Sequence, residues 1–213
     1  MENGKDKIPN IRQVTKNPFL NYYELDVRRR DGATSKYYMA SRALCMDELY
    51  MFTPQKGPDG VAIYSLYGQK RDHVVLIRQY RFPLGGYVYE FPAGLVEKGE
   101  DPHDTAVREM KEETGLDFTP LKVDSMYEKP YFTTVGMTDE NCSLVYGISA
   151  GTVSREGLEE TEDIEVVLAD RKEAARILKE EKVALLCAYM LMHFIADTDD
   201  PFRFLSGGEN DGC

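Results

Sequence analysis

The 213-residue sequence predicts an α+β fold in which strands outnumber helices. Three features carry that expectation. Two Tyr-rich segments near the N terminus alternate at the period of a strand and flank the turn signal Arg30-Asp31-Gly32. A succession of short β-branched and aromatic runs follows, separated by polar or Gly-containing connectors. One helix, expected over 102–114, carries matched boundary signals. Asp101 is a good N-cap, Pro102 suits the first helical position, and Gly115 stands where a left-handed C-terminal cap belongs.

Taken in order, residues 1–17 are polar and expected to be loose. Segments 21–32 and 35–42 form the antiparallel hairpin, and the Pro- and Gly-containing break at 53–60 marks a subdomain boundary. An N-terminal hairpin or sheet subdomain over 1–58 is therefore expected, with a main domain over 59–200. Strands are expected at 61–67, 73–82 and 86–94 before the helix, and at 121–127, 142–150 and 163–169 after it. Two helices, 171–181 and 183–197, follow. The apolar run 183–196 is shorter than the roughly 20 residues that span a bilayer and contains His193, so it reads as a buried core helix. A flexible tail is expected over 201–213.

The composition, 42% hydrophobic and 30% charged, is that of a globular domain with a sizeable core. A formal charge of −11 argues against tight nonspecific binding to nucleic acid or to anionic membranes. It leaves room for a phosphate-bearing substrate, because divalent cations can bring the positive charge. Cys45, Cys142, Cys187 and Cys213 show no paired spacing, and no secretory signal precedes them, so free thiols in a reducing cytoplasm are expected.

The chemistry concentrates in residues 94–116. The expected helix places Glu109, Glu112 and Glu113 on neighbouring faces. Two carboxylates about 5 Å apart repel by roughly 3 kcal/mol at an effective dielectric of about 20. A bound divalent cation removes that cost, and carboxylate oxygens are the ligands magnesium and manganese prefer. A solvated Glu-rich helix face is the bland reading of such a triplet alone.

The full spacing says more. Gly94, Glu100, Arg108, Glu109, Met110, Glu112, Glu113, Gly115 and Leu116 match each defined position of the Nudix box, G-x5-E-x7-R-E-U-x-E-E-x-G-U with U apolar. The chain thus resembles the Nudix hydrolases. The resemblance implies an α/β/α sandwich with a mixed sheet and, in one branch, a small N-terminal antiparallel sheet that packs against a partner subunit. It implies Glu109 and Glu113 as principal metal ligands, Glu112 assisting, and the Ala93 carbonyl as a further metal-binding oxygen. Arg108 and Glu100 would orient these carboxylates. Gly94 would let the loop turn closely around the ion, Gly115 would end the helix, and Met110 and Leu116 read as core contacts.

Further segments resemble the ADP-ribose and nucleoside-diphosphate-sugar pyrophosphatase branch. Glu160-Thr161-Glu162-Asp163-Ile164 is similar to its E-x-E-D-I segment, which implies Glu160 as general base and Glu162 as a metal ligand, with Glu159 an adjacent competitor for the base. Gln79-Tyr80-Arg81 and Glu90-Phe91-Pro92-Ala93-Gly94 are similar to its Q-[FY]-R and E-x-P-A-G stretches. Arg81 then reads as a phosphate contact and Glu90 as a ribose contact, or the two as a salt bridge. The loop 134–140 resembles S-P-G-x-[ST]-x-E, which implies Glu140 as a contact to substrate or catalytic water, although Val135 stands in place of the proline. Tyr22, Tyr23, Tyr37 and Tyr38 offer aromatic surfaces for a base, or core and interface contacts. His103 and His193 read as helix residues without catalytic work.

The expected protein is a homodimeric, cytoplasmic pyrophosphohydrolase using Mg2+, with Mn2+ as a substitute. It would cut ADP-ribose-like sugars to AMP and ribose 5-phosphate. The alternatives are a UDP- or GDP-hexose pyrophosphatase and, from another class, a noncatalytic nucleotide-sugar sensor; neither nucleic acid nor membrane is an expected partner.

Overall fold

The computed structural model describes residues 7–54, 57–158 and 163–205. The chain divides into two compact units, one formed by residues 1–59 and 130–142, the other by 60–129 and 143–213. The first unit thus takes in a second stretch of chain beyond the expected 1–58.

In the first unit β1 (Asn10–Gln13), β2 (Asn21–Arg28) and β3 (Thr34–Ser41) form an antiparallel sheet in that order. The β2–β3 turn closes through the Arg29 N–H to the Ala33 carbonyl at 2.8 Å, with Gly32 left-handed at φ 83°. Alternation buries Tyr23, Leu25 and Met39 with Ala43 and Leu49. β1 corrects the loose segment expected over 1–17. Its one apolar residue, Ile11, packs on that core, and cross-strand polar pairs add to it, Arg12 to Glu24 at 3.0 Å and Asn10 to Asp26 at 3.2 Å.

The second unit opens with β4 (Gly60–Tyr67), β5 (His73–Arg81), β6 (Gly86–Glu90) and β7 (Ala93–Leu95). Helix α1 (Pro102–Thr114) and β8 (Asp117–Pro120) come next. A four-residue helix α2 (Ser125–Glu128) follows. β9 (Tyr131–Phe132), in the first unit, pairs with the start of β10 (Asn141–Ala150). β11 (Ile164–Ala169), α3 (Arg171–Glu180) and α4 (Leu185–Ala196) complete the second unit's regular elements. The sheet order is β11-β5-β4-β10-β8, with β6 on β5 and β7 on β4. The β4–β5, β5–β11 and β8–β10 pairs are antiparallel. β4 and β10 run in the same direction, since Asp59 N–H bonds Asn141 O before them and Gly68 N–H bonds Ser149 O at their far end. The sheet is therefore mixed.

Alternation along the strands sends two sets of side chains to opposite faces. Val61, Ile63, Val75 and Val145 form one core with Ala106 and Met110 of α1, Leu116 and Phe118. Tyr64 and Tyr146 face the other way, where Tyr64 meets Phe202 edge-on and Tyr146 meets Phe204, which in turn lies 4.6 Å from the His193 ring of α4. This is the expected α/β/α sandwich.

Three local expectations are corrected. Segment 121–127 is not a strand. The strand lies earlier, at β8, where Phe118 packs under Gly147, and Asp124 then caps α2 by accepting from the Met126 N–H at 2.9 Å. Helix α4 is not buried all round. Cys187, Leu191 and Phe194 face inward, whereas Leu185, Tyr189 and Met192 are 70%, 64% and 52% exposed. Of the tail expected over 201–213, residues 201–205 are packed by Phe202 and Phe204, and 206–213 lie outside the described residues. Among the described residues no helix is long and apolar enough to cross a membrane.

Candidate active site

Helix α1 starts and stops as its caps dictate. The Asp101 carboxylate accepts from the His103 N–H at 2.8 Å, and Gly115 turns left-handed at φ 76° with its N–H on Lys111 O. Substitution at Gly115 would be strained by that φ and would push a Cβ to 2.6 Å from Ser154 N.

Within the helix Ala106, Met110 and Glu113 lie on one stripe, so Glu113 is carried inward and is only 3% exposed. Its Oε2 accepts from the Ala93 N–H at 3.0 Å, tying the helix to β7. Glu109, 14% exposed, lies against Gly94. A Cβ on Gly94 would overlap the Glu109 carboxyl. Behind it, a Cβ on Gly60 would stand 2.9 Å from Gly94 O, so two bare backbones make the space this carboxylate occupies. Gly60 was not legible as a site residue, since its role depends on β4 pairing with β7.

Arg108 gathers the remaining carboxylates. Its Nε and Nη2 donate to Glu100 at 3.1 Å each, and its Nη1 donates to Glu109 at 2.7 Å and Glu112 at 3.1 Å. Nη2 also reaches Leu95 O at 3.3 Å. Glu100 further accepts from the Glu97 N–H at 3.1 Å. These bonds hold the Glu100 carboxyl at about 2 and raise the Arg108 guanidinium above its ordinary value. Because the Glu100 value lies below the ordinary 4.5, its stabilising contribution is complete above that pH and is lost as pH falls toward 2. Glu100→Gln is therefore expected to flatten the fall in melting temperature across this acid window. Thermal melts over the range check it, and an unchanged acid slope would remove Glu100 from the network.

Three carboxylates sharing one guanidinium, with Glu113 beside them, leave an excess of negative charge. Among the described residues no three His, Cys, Asp or Glu side chains are gathered tightly enough to hold an ion as they stand, because Glu109 and Glu112 are drawn onto Arg108. The donor set nonetheless fits a hard divalent cation, being all oxygen, net negative, and set in a cradle that glycines keep clear.

Glu159, Glu160 and Glu162 lie outside the described residues. The chain leading to them is placed. Ser154 N–H bonds Thr114 O at 2.9 Å, and a Cβ on Gly157 would stand 2.7 Å from Glu112 O. On their far side Asp163 O accepts from the Tyr80 N–H at 3.1 Å. Nothing in the sequence singles out Gly157.

Arg81 and Glu90 form a salt bridge, with Nη2 to Oε2 at 2.6 Å and Nε to Oε1 at 3.1 Å. Glu140, in the first unit, accepts from Arg42 Nε at 2.7 Å and from Thr133 Oγ1 at 3.1 Å. Of the tyrosines there, Tyr23 is core, its hydroxyl on Ala43 O. Tyr22 and Tyr38 stack at 5.9 Å and are partly exposed, and Tyr37 donates to Gly136 O at 2.6 Å. His103 Nε2 lies 2.7 Å from Glu128. Cys45, Cys142 and Cys187 form no disulfide among the described residues, and burial pushes the Cys187 thiol up.

The NUDIX domain family matches residues 56–189. The chain is 28% identical over 185 residues to an ADP-ribose pyrophosphatase of Bacillus subtilis, covering 86% of this chain and 88% of that one. It is 33% identical over 129 residues to a methanol dehydrogenase activator of Bacillus methanolicus, 59% of this chain and 65% of the relative. It is also 42% identical over 72 residues to an ADP-sugar pyrophosphatase of Mus musculus, 32% and 33% of the two chains. With the last two relatives it thus aligns over less than two thirds of their length. A solved ADP compounds hydrolase superposes with a TM-score of 0.56 at 20% identity, over 89% and 91% of the two chains, which shows the shared fold.

Proposed function

The chain belongs to the Nudix family, and from that premise we propose that it hydrolyses the diphosphate bond of ADP-ribose-like nucleoside diphosphate sugars, giving AMP and ribose 5-phosphate, with Mg2+ or Mn2+ as cofactor. The observation that carries the reading is the convergence of Glu100, Glu109 and Glu112 on Arg108, with Glu113 bound to the Ala93 N–H. The Bacillus subtilis and mouse relatives named for ADP-ribose and ADP-sugars support the substrate class.

Glu109 and Glu113, with Glu162 and the Ala93 carbonyl, would hold the cation. When bound, it neutralises the diphosphate oxygens and makes phosphorus more electrophilic. Arg108 donates to Glu109 and Glu112 in the structure, and Glu109 Oε1 would leave that bond to take up the role. Glu160, or Glu159 beside it, takes a proton from the attacking water. The water oxygen bonds to phosphorus, the bridging P–O bond breaks, and the departing phosphate oxygen carries away the electron pair. The placement of Ser154 and Gly157 against the end of α1 supports this acidic segment reaching the box. Arg81 and Glu90, paired in the structure, would meet substrate by opening that salt bridge, and Glu140 would contact substrate or water. A homodimer through the first unit is supported by its exposed Phe19, Leu20 and Leu44, at 73%, 52% and 57%. The setting would be cytoplasmic.

Val135, 77% exposed where the branch has proline, favours a second reading as a UDP- or GDP-hexose pyrophosphatase. A substrate panel with purified protein separates them. ADP-ribose is expected to be turned over with kcat/KM about tenfold or more above either hexose nucleotide, and to stop on chelation. The reverse order would transfer the assignment to the hexose class.

A further inference from the structure

A cleft of about 330 Å³ in the second unit is lined by Tyr80, Phe82, Tyr87 and Asp163. It belongs to neither the box nor the Arg81–Glu90 pair. Across the β5–β6 register Tyr80 faces Tyr87, whereas Ile77, in register with Glu90, points with Val75 to the opposite, α1-covered face. By alternation Arg81 shares the Ile77 side, and Arg78 and Tyr80 share the cleft side.

The walls stand at right angles. Tyr80 meets Phe82 with ring centroids 5.4 Å apart and planes at 77°, and meets Tyr87 at 5.4 Å and 82°. Phe82 is 81% exposed, an aromatic ring held in solvent at the rim. The Asp163 carboxylate accepts from the Tyr87 hydroxyl, which fixes both groups at the wall. Arg78 lies 4.2 Å over the Tyr87 ring and is itself paired with Glu165 at 3.4 Å.

This combination selects among ligands. A planar base slots between parallel rings, whereas perpendicular rings make a corner suited to a compact, rounded group. Ring faces carry negative charge density, and Asp163 adds a formal negative charge with Arg78 already offset by Glu165. An anion is disfavoured there and an apolar cation is favoured. We propose that the Tyr80–Phe82–Tyr87–Asp163 corner is a binding site for a small free organic cation of the methylated-ammonium class, separate from the hydrolytic site.

Saturation-transfer NMR on the full chain tests it, with choline as probe and, as control, the neutral isostere in which carbon replaces the quaternary nitrogen. Choline is expected to bind saturably and the isostere about tenfold more weakly. Phe82→Ala, at an exposed position, is expected to weaken choline about tenfold, and Phe82→Tyr, which keeps the ring, to restore it. Equal binding of the isostere, or choline binding unchanged by F82A, would overturn the proposal. So would adenosine binding at this corner more tightly than choline. A trimethyllysine peptide bound tenfold or more above choline would overturn the assignment to a free molecule.

Discussion

Glu113→Gln is expected to lower kcat/KM by on the order of 10³-fold at saturating Mg2+ while leaving the fold intact. The amide oxygen can still accept from the Ala93 N–H, and the side chain keeps its volume in the α1 stripe beside Met110. What disappears is a charge that is only 3% exposed and stands one helical turn from Glu109. Without metal the substitution relieves like-charge repulsion, so the melting temperature should hold or rise. With metal, wild type should gain stability by mass action and the variant should gain far less. Melting curves with and without Mg2+, beside initial rates, read both effects. Activity within a few-fold of wild type would show that this carboxylate does not hold the ion.

Gly94→Ala is expected to cost about 10²-fold or more in activity at little cost in stability. The added Cβ would overlap the Glu109 carboxyl, which is the mobile end of a long side chain and can swing aside cheaply. Its displacement takes the carboxylate out of the place the glycine backbone reserved. Ala at Gly60 meets backbone instead, 2.9 Å from Gly94 O, and is expected to lower stability as well. Initial rates and thermal melts of the two variants separate the cases. Full activity in G94A would mean that the position of Glu109 against Gly94 is not the working one.

How much of this was legible follows the range of the interactions. Asp101, Pro102 and Gly115 act on backbone groups within a turn of themselves, so α1 is readable from local residues. The β2–β3 hairpin is readable for the same reason, its turn closing over Arg29–Ala33. β1 is mostly polar and becomes a strand through its partner β2, whose Glu24 and Asp26 receive its side chains while Ile11 packs on the core beside it. Segment 121–127 alternates like a strand, yet the register of β8 on β10 ends at Pro120 opposite Gly147. Helix α4 is apolar on every side, and hydrophobicity alone does not say which side the sheet will cover.

The α+β class, the capped helix and the spacing of the acidic residues along it follow from residue order, because helical period and capping are properties of adjacent residues. Folding decided that Glu113 is buried on Ala93 and that Glu109 lies over bare Gly94 with Gly60 behind. It likewise decided that Arg108 binds Glu100, Glu109 and Glu112 together and that Tyr80, Phe82 and Tyr87 meet at a corner. These are contacts between elements distant along the chain, set by strand register and by which face of each strand looks toward α1.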